Sequence, residues 1–190
     1  MFPAVFLDKD GTLIPDIPYN VEPSKITLAD FARSALGRLS DRGFKLIVIS
    51  NQSGVARGYF AESALQGVEQ RLQELLAPIR LDGFYYCPHH PQGKISQYRI
   101  ECECRKPKAG MLVKAAKEHQ IDLARSWMIG DILNDVEAGR SAGCRSILID
   151  NGNETEWILN ESREPHFRVA NLAEAAEAIV LTLCQTEHES

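Results

Sequence analysis

The sequence has no long hydrophobic run. Its apolar stretches are short, LIVIS (46–50) among the longest, against the roughly 20 residues that span a bilayer, so no membrane partner is expected. Basic excess is lacking too. The 21 Lys and Arg face 26 Asp and Glu, and a formal charge of −5 argues against a nucleic-acid partner. No basic leader or cleavage site precedes the first apolar segment, so a cytoplasmic location is expected. Repeats and low-complexity tracts are also absent. What remains is a 190-residue chain of ordinary globular composition, the size of one domain (1–190), for which a monomer is expected.

Short apolar runs alternate with helical patterns. AVFLD (4–8), KLIVIS (45–50), FYYC (84–87), WMIGD (127–131) and SILID (146–150) read as strands. Most are continuously apolar, as in a parallel sheet covered on both faces. Between them, Leu28, Phe31, Ala32, Ala35, Leu36 and Leu39 make one helical stripe, and Leu65, Val68, Leu72 and Leu75–Leu76 a second. Met111, Leu112, Ala115 and Ala116 make a third, a shorter one starts at Val136, and LAEAAEAIVLTL (172–183) closes the chain before a tail expected to fray. This βαβα alternation predicts an α/β fold, a doubly wound parallel sheet without a large cap domain.

Polar groups cluster where these strands end, the edge at which open α/β sheets place ligands. The first strand runs into LDKDGTL, with Asp8 and Asp10. The second ends in Ser50 and is followed by Asn51, Gln52 and Ser53, whose hydroxyls, carboxamides and loop amides suit phosphate oxygens. WMIGD ends in Asp131, with Asp135 four residues on, and Lys106 stands before the third helix. Alone, D-x-D-G-T is equally an Asx turn, Asp135 a helix N-terminal acid, and Arg57 a solvated loop residue. Together they describe phosphoryl transfer. Asp8 attacks phosphorus, magnesium among Asp8, Asp10 and Asp131 (Asp135 in support) offsets the anionic repulsion, and Ser50 and Lys106 hold the phosphoryl oxygens. Asp10 protonates the leaving oxygen and later deprotonates water.

Three of the five cysteines lie in CPHHPQGKISQYRIECECRKP (87–107), with two histidines. In a reducing compartment such a cluster reads as a metal site or a redox pair rather than as disulfides. The zinc spacing is C-x-H, then C-x-C, from Cys87, Cys102, Cys104 and one of His89 or His90, with a turn needed inside each pair. Cys144 and Cys184 read as core thiols.

DKDGT, the Ser50 strand end, Lys106 and GDILND, in that order, resemble the four motifs of the haloacid dehalogenase-like phosphatases, from about Val5 to Leu183. The resemblance implies a magnesium-dependent hydrolase with a Rossmann-like core, in which the residue at Asp10 also offers its backbone carbonyl to the metal. CPHHPQG…CECRKP further resembles the zinc loop of a subgroup that holds the D-glycero-D-manno-heptose 1,7-bisphosphate 7-phosphatases and the histidinol-phosphate phosphatases. That likeness implies structural zinc on Cys87, His89, Cys102 and Cys104, substrate recognition by Arg105 and phosphoryl stabilisation by Lys106.

NQSGVARG (51–58) is more similar to the heptose enzymes. Asp16 and Tyr19 fall on their sugar-contacting positions, although Pro18 stands where they have glycine and Ile132 where they have lysine. Without a cap, specificity is expected from loops carrying Asp16–Tyr19, Gln52–Arg57 and Lys94–Arg105, with Arg57 available to a second phosphate or a carboxylate. The implied activity is release of the 7-phosphate from a heptose bisphosphate. Histidinol phosphate or another small sugar phosphate is the alternative substrate, and a zinc-stabilised binding module without catalysis is the alternative of a different class.

Overall fold

A computed structural model describes residues 1–188. Six parallel strands form one sheet: β1 (Ala4–Leu7), β2 (Lys45–Asn51), β3 (Gly83–Cys87), β4 (Trp127–Gly130), β5 (Arg145–Ile149) and β6 (Phe167–Val169), in the order β3-β2-β1-β4-β5-β6. The chain builds outward from β1 to β3, then returns to the other side of β1 to lay down β4. This reversal opens a crevice at the carboxyl ends of β1 and β4, where Leu7 pairs with Ile129.

Side-chain alternation explains why the strands are apolar throughout. Val5, Leu7, Leu46, Val48 and Ile129 face one core, packed by α1 (Ala32–Ser40), α3 (Ala64–Leu76) and α6 (Leu172–His188). Ala4, Phe6, Ile47, Ile49 and Met128 face the other, under α4 (Gly110–His119), with Ala138 of α5 (Leu133–Ser141). With both faces covered, neither set of positions tolerates polar groups.

Four features depart from the periodicity. Leu28 and Phe31 precede α1; Phe31 adopts φ 64° and stays exposed, so the helix starts later than its apolar stripe. One extra turn, α2 (Gly54–Arg57), follows β2. β6 was not expected, being an edge strand of three residues without a buried side chain. α6 runs five residues past Leu183, and the rest of the tail expected to fray lies outside the described residues. Among the described residues, no helix is long and apolar enough to cross a membrane.

Candidate active site

The crevice gathers the strand-end residues. Asp8 follows β1 and is buried, its backbone N–H donating to the Ile129 carbonyl at 2.9 Å. Lys106 reaches it from a segment 98 residues away, with Nζ 2.5 Å from Asp8 Oδ1 and 2.6 Å from Asp135 Oδ1, and donates to the Ile49 carbonyl at 2.9 Å. Burial alone would push this lysine down, but the carboxylates of Asp135 and Asp8 hold it above the ordinary lysine range. Its peptide is clamped by Asn51 from the end of β2. Asn51 Nδ2 donates to the Lys106 carbonyl and the Lys106 N–H donates to Asn51 Oδ1, both at 3.0 Å.

Asp8, Asp131 and Asp135 each offer an oxygen within 4.8 Å of the others, and all three residues are buried. Burial and then the charges of Asp8 and Asp135 push the Asp131 carboxyl up to about 7. Burial likewise carries Asp135 to about 6 against the pull of Lys106. Three carboxylates around one lysine leave an excess of negative charge that a divalent cation would neutralise, so the donor set fits magnesium. Asp135 is already committed to Lys106 and to the Ile132 N–H, at 3.3 Å from Oδ2, which suits a supporting place. Asn153 Nδ2 donates to Asp131 Oδ2 at 2.7 Å and fixes that carboxylate's rotation. Gly11 lies against it with φ +82°. A Cβ there would come within 2.1 Å of Asp131 Oδ2, so both the turn and the space require glycine.

Asp10 turns away from this trio. Its Oδ1 is 2.5 Å from Lys9 Nζ and its Oδ2 accepts from Gln52 Nε2 at 3.1 Å, while the same Gln52 nitrogen donates to Ser50 Oγ at 2.7 Å. The side chain of Asp10 is therefore not part of the carboxylate cluster. Burial raises the Asp10 carboxyl even though Lys9 and Gln52 draw it back. Lys9, Asp10, Asp16, Tyr19, Asn51, Gln52 and Ser53 line one cavity of about 270 Å³. Tyr19, at φ 57°, meets the Tyr59 ring edge-on at 4.5 Å.

Arg57 and Arg105 are not in the lining of this cavity; Arg105 lines another, with Pro91, Ile100, Cys102 and Lys106. Arg105 donates to the His89 carbonyl at 3.3 Å. Arg57 Nε is buried without a hydrogen-bond partner among the described residues, and its Nη2 is 3.2 Å from His90 Nε2. His90 Nδ1 accepts from the Gln92 N–H at 3.1 Å, so a neutral ring carries its proton on Nε2 and turns a donor toward a donor.

The cysteine loop closes as its spacing requires. Cys87, His89, Cys102 and Cys104 converge within 4.8 Å, with Sγ and Nδ1 contacts of 2.9 to 3.8 Å. Four ligands about 2.3 Å from a zinc ion define a tetrahedron with edges of about 3.8 Å, so the set fits one such ion. All three thiols are free. Contact with Cys104 pushes the Cys87 thiol up, whereas contact with Cys87 holds Cys104 down to about 5, a thiolate ready for a metal. His90 lies outside the cluster, on Arg57. A second anchor holds the loop's outer half. Tyr86 and Tyr98 hydroxyls donate to the two oxygens of Glu62 at 3.1 and 2.5 Å, and Lys94 and Ile95 N–H groups donate to the Ala56 carbonyl at 2.7 and 2.9 Å.

Sequence reasoning missed Lys9, Asn153 and Glu62. Lys9 stands between the two aspartates of DKDGT, and a lysine at the end of a buried strand is itself a signal. Asn153 and Glu62 carry no local pattern; only the fold brings them to Asp131 and the loop.

A family model for HAD-hydrolase-like proteins matches residues 103–175. The D-glycero-beta-D-manno-heptose-1,7-bisphosphate 7-phosphatase of Salmonella typhi is 40% identical over 169 residues, covering 83% of this chain and 90% of that protein. The protein of the same name from Haemophilus influenzae is 43% identical over 152 residues, covering 78% and 82%. Among solved structures, a HAD-like phosphatase from Mesorhizobium loti superposes with a TM-score of 0.81 at 35% identity, covering 94% of this chain and 86% of that one. The D,D-heptose 1,7-bisphosphate phosphatase of B. bronchiseptica, complexed with magnesium and phosphate, gives 0.77 at 28%, covering 95% and 99%.

Proposed function

The chain belongs to the haloacid dehalogenase-like hydrolases, in the group of the heptose bisphosphate phosphatases, and from that membership we infer that it hydrolyses the 7-phosphate of D-glycero-beta-D-manno-heptose 1,7-bisphosphate. The observation that carries this reading is the Asp8–Lys106 pair at 2.5 Å beside Asp131, in a chain 40% identical to a phosphatase of that name. A binding module without catalysis has no use for a buried nucleophile, its cation and an acid in one crevice.

Asp8 is the nucleophile. Its carboxylate bonds to phosphorus while the sugar oxygen leaves, giving an aspartyl-phosphate; water then releases phosphate. Asp10 gives its proton to the leaving oxygen and takes one from the attacking water. Lys106, with Ser50, holds phosphoryl oxygens through the transfer, and Asn51 sets where Lys106 stands. Asp8, Asp131 and the Asp10 backbone carbonyl would hold magnesium, which would supply the positive charge that lets carboxylate approach phosphate. Asp135 and Asn153 orient Lys106 and Asp131 in support.

The cavity between Asp10 and Tyr19 takes the sugar, with Asp16, Gln52 and Ser53 as its polar wall. The second phosphate lies toward Arg57 and Arg105. Arg57 Nε without a partner and the two donors facing each other at 3.2 Å both call for an acceptor there, and a phosphate supplies several. Cys87, His89, Cys102 and Cys104 would hold a structural zinc, which would fix the backbone one and two residues before Arg105 and Lys106. Ile132 and Pro18, which depart from the heptose pattern, bear on the choice of anomer and leave the chemistry in place.

The deciding experiment compares kcat/KM for both anomers of heptose 1,7-bisphosphate, histidinol phosphate and fructose 1,6-bisphosphate. The beta heptose ester is expected to lead by at least about tenfold, a difference of about 1.4 kcal/mol in transition-state binding. A preference for histidinol phosphate would move the enzyme to the other branch of its subgroup.

A further inference from the structure

Lys9 is 1% exposed and lies at the floor of the substrate cavity, yet its ammonium makes a single side-chain ion pair, with Asp10. Burying a lysine is costly, and a buried ion pair as a whole seldom stabilises a fold more than apolar side chains of the same shape. Stability alone therefore does not explain the choice of a lysine and an aspartate here. Two residues apart, Asp8 and Asp10 are each given a separate lysine: Lys106 at 2.5 Å from Asp8, and Lys9 at 2.5 Å from Asp10. The pairing sorts two adjacent carboxylates into different environments. Gln52 holds the second Asp10 oxygen at 3.1 Å, so the carboxylate is gripped at both ends and kept apart from Asp8, Asp131 and Asp135.

We infer that Lys9 is a positioning residue for the acid step: it fixes the Asp10 carboxyl toward the leaving sugar oxygen and stabilises the charge that forms on it. This rests on the reading of Asp10 as the proton donor. As the bond from phosphorus to the sugar oxygen breaks, that bond's electron pair takes the Asp10 proton, and Asp8 forms the new bond to phosphorus. Sugar alcohol, aspartyl-phosphate and an Asp10 carboxylate result. Negative charge thus develops on Asp10 in the transition state, beside an ammonium already in place. Such a cation is worth most in a buried site, where it need not reorganise. In the second half-reaction the same contact keeps the carboxylate oriented to accept a proton from water.

The test uses leaving groups. Departure of a sugar alkoxide needs a proton; departure of p-nitrophenolate does not. Lys9→Met, which keeps the length without the charge, is expected to lower kcat/KM at least tenfold on heptose 1,7-bisphosphate and less than threefold on p-nitrophenyl phosphate. Melting temperature is expected to fall, since Asp10 loses its cation, but the two esters are compared on the same folded protein, and Lys9→Arg should recover most of the kinetic loss. kcat/KM is the right quantity because it reports steps up to loss of the leaving group. In an Asp10→Asn background, adding Lys9→Met should change nothing further on the sugar ester. Equal losses on the two esters, or a full further loss in the double variant, would overturn the inference. If Asp10→Asn itself left the sugar ester's kcat/KM intact, the acid role of Asp10 would fail, a separate result.

Discussion

Asn51 grips the Lys106 peptide from both sides, donating to its carbonyl and accepting from its N–H at 3.0 Å each. The lysine that meets Asp8 is thus set by a carboxamide at the end of β2 as well as by the cysteine loop before it. Asn51→Ala should lower kcat about 10- to 100-fold with a smaller change in KM, because a displacement on the scale of 1 Å in a catalytic cation costs that much. Steady-state kinetics alongside a melting curve separate this from loss of fold, and an unchanged kcat would leave the clamp without a catalytic part.

Replacing Asp8 by Asn removes the proposed attacking oxygen and one of the two carboxylate partners of Lys106. Turnover should fall by more than about a thousandfold, since the aspartyl-phosphate has no other carboxylate to form on. The far-ultraviolet spectrum should be unaltered, because Asp135 still pairs with Lys106. Activity near the parent level would exclude nucleophilic catalysis by this residue.

Asn153 touches Asp131 rather than substrate. Asn153→Ala should weaken magnesium binding by roughly 10- to 100-fold, the usual cost of losing an outer partner of a metal ligand. The signature is a shifted magnesium dependence of activity, with kcat restored at saturating metal. A lower kcat that no added magnesium restores would count against this role.

Removal of zinc should affect the two halves of the loop differently. The stretch 102–106 depends on the cysteine cluster, whereas 93–98 is also tied to Glu62 and to the Ala56 carbonyl. Hydrogen exchange after chelation should therefore rise first around 102–106, and activity should fall even with magnesium in excess. Uniform loosening from 88 to 106 would mean that the Glu62 anchor contributes little.

Arg57→Ala removes one of the groups left seeking an acceptor. Its kcat/KM for heptose 1,7-bisphosphate should drop at least about tenfold, as for a charge-assisted pair of about 1.5–3 kcal/mol, while a small monophosphate ester loses little. Equal losses on both would place Arg57 outside recognition.

What could be read from the chain alone follows from which forces are local. Strands β1, β2, β4 and β5 announce themselves because a parallel sheet buries both faces and leaves unbroken apolar runs such as KLIVIS. β6 has no such run, since an edge strand of three residues buries little, and only pairing with β5 defines it. Asp8, Ser50 and Asp131 were visible because strand ends are visible. Cys87, Cys102 and Cys104 were visible because their spacing is compact, whereas spacing left His89 and His90 both open and the fold brings His89 to the cluster. Asn153 and Glu62 act across the tertiary structure, and no periodicity marks such partners. Lys9 is the instructive omission: it stood in plain sight, and what it does depends on a burial that sequence does not display.

The strand order has a consequence for how the enzyme comes into being. β1 is made before β2 and β3, its neighbour β4 only after both, and the lysine that meets Asp8 follows it by 98 residues. Long-range parallel pairings of this kind close slowly. A nascent chain carries Asp8 before it has a crevice to hold it, and that crevice waits until β4 docks. Activity is therefore a late and demanding reporter of complete assembly: a fragment that stops before β4, however well it folds around β1 to β3, holds Asp8 and Lys106 without Asp131.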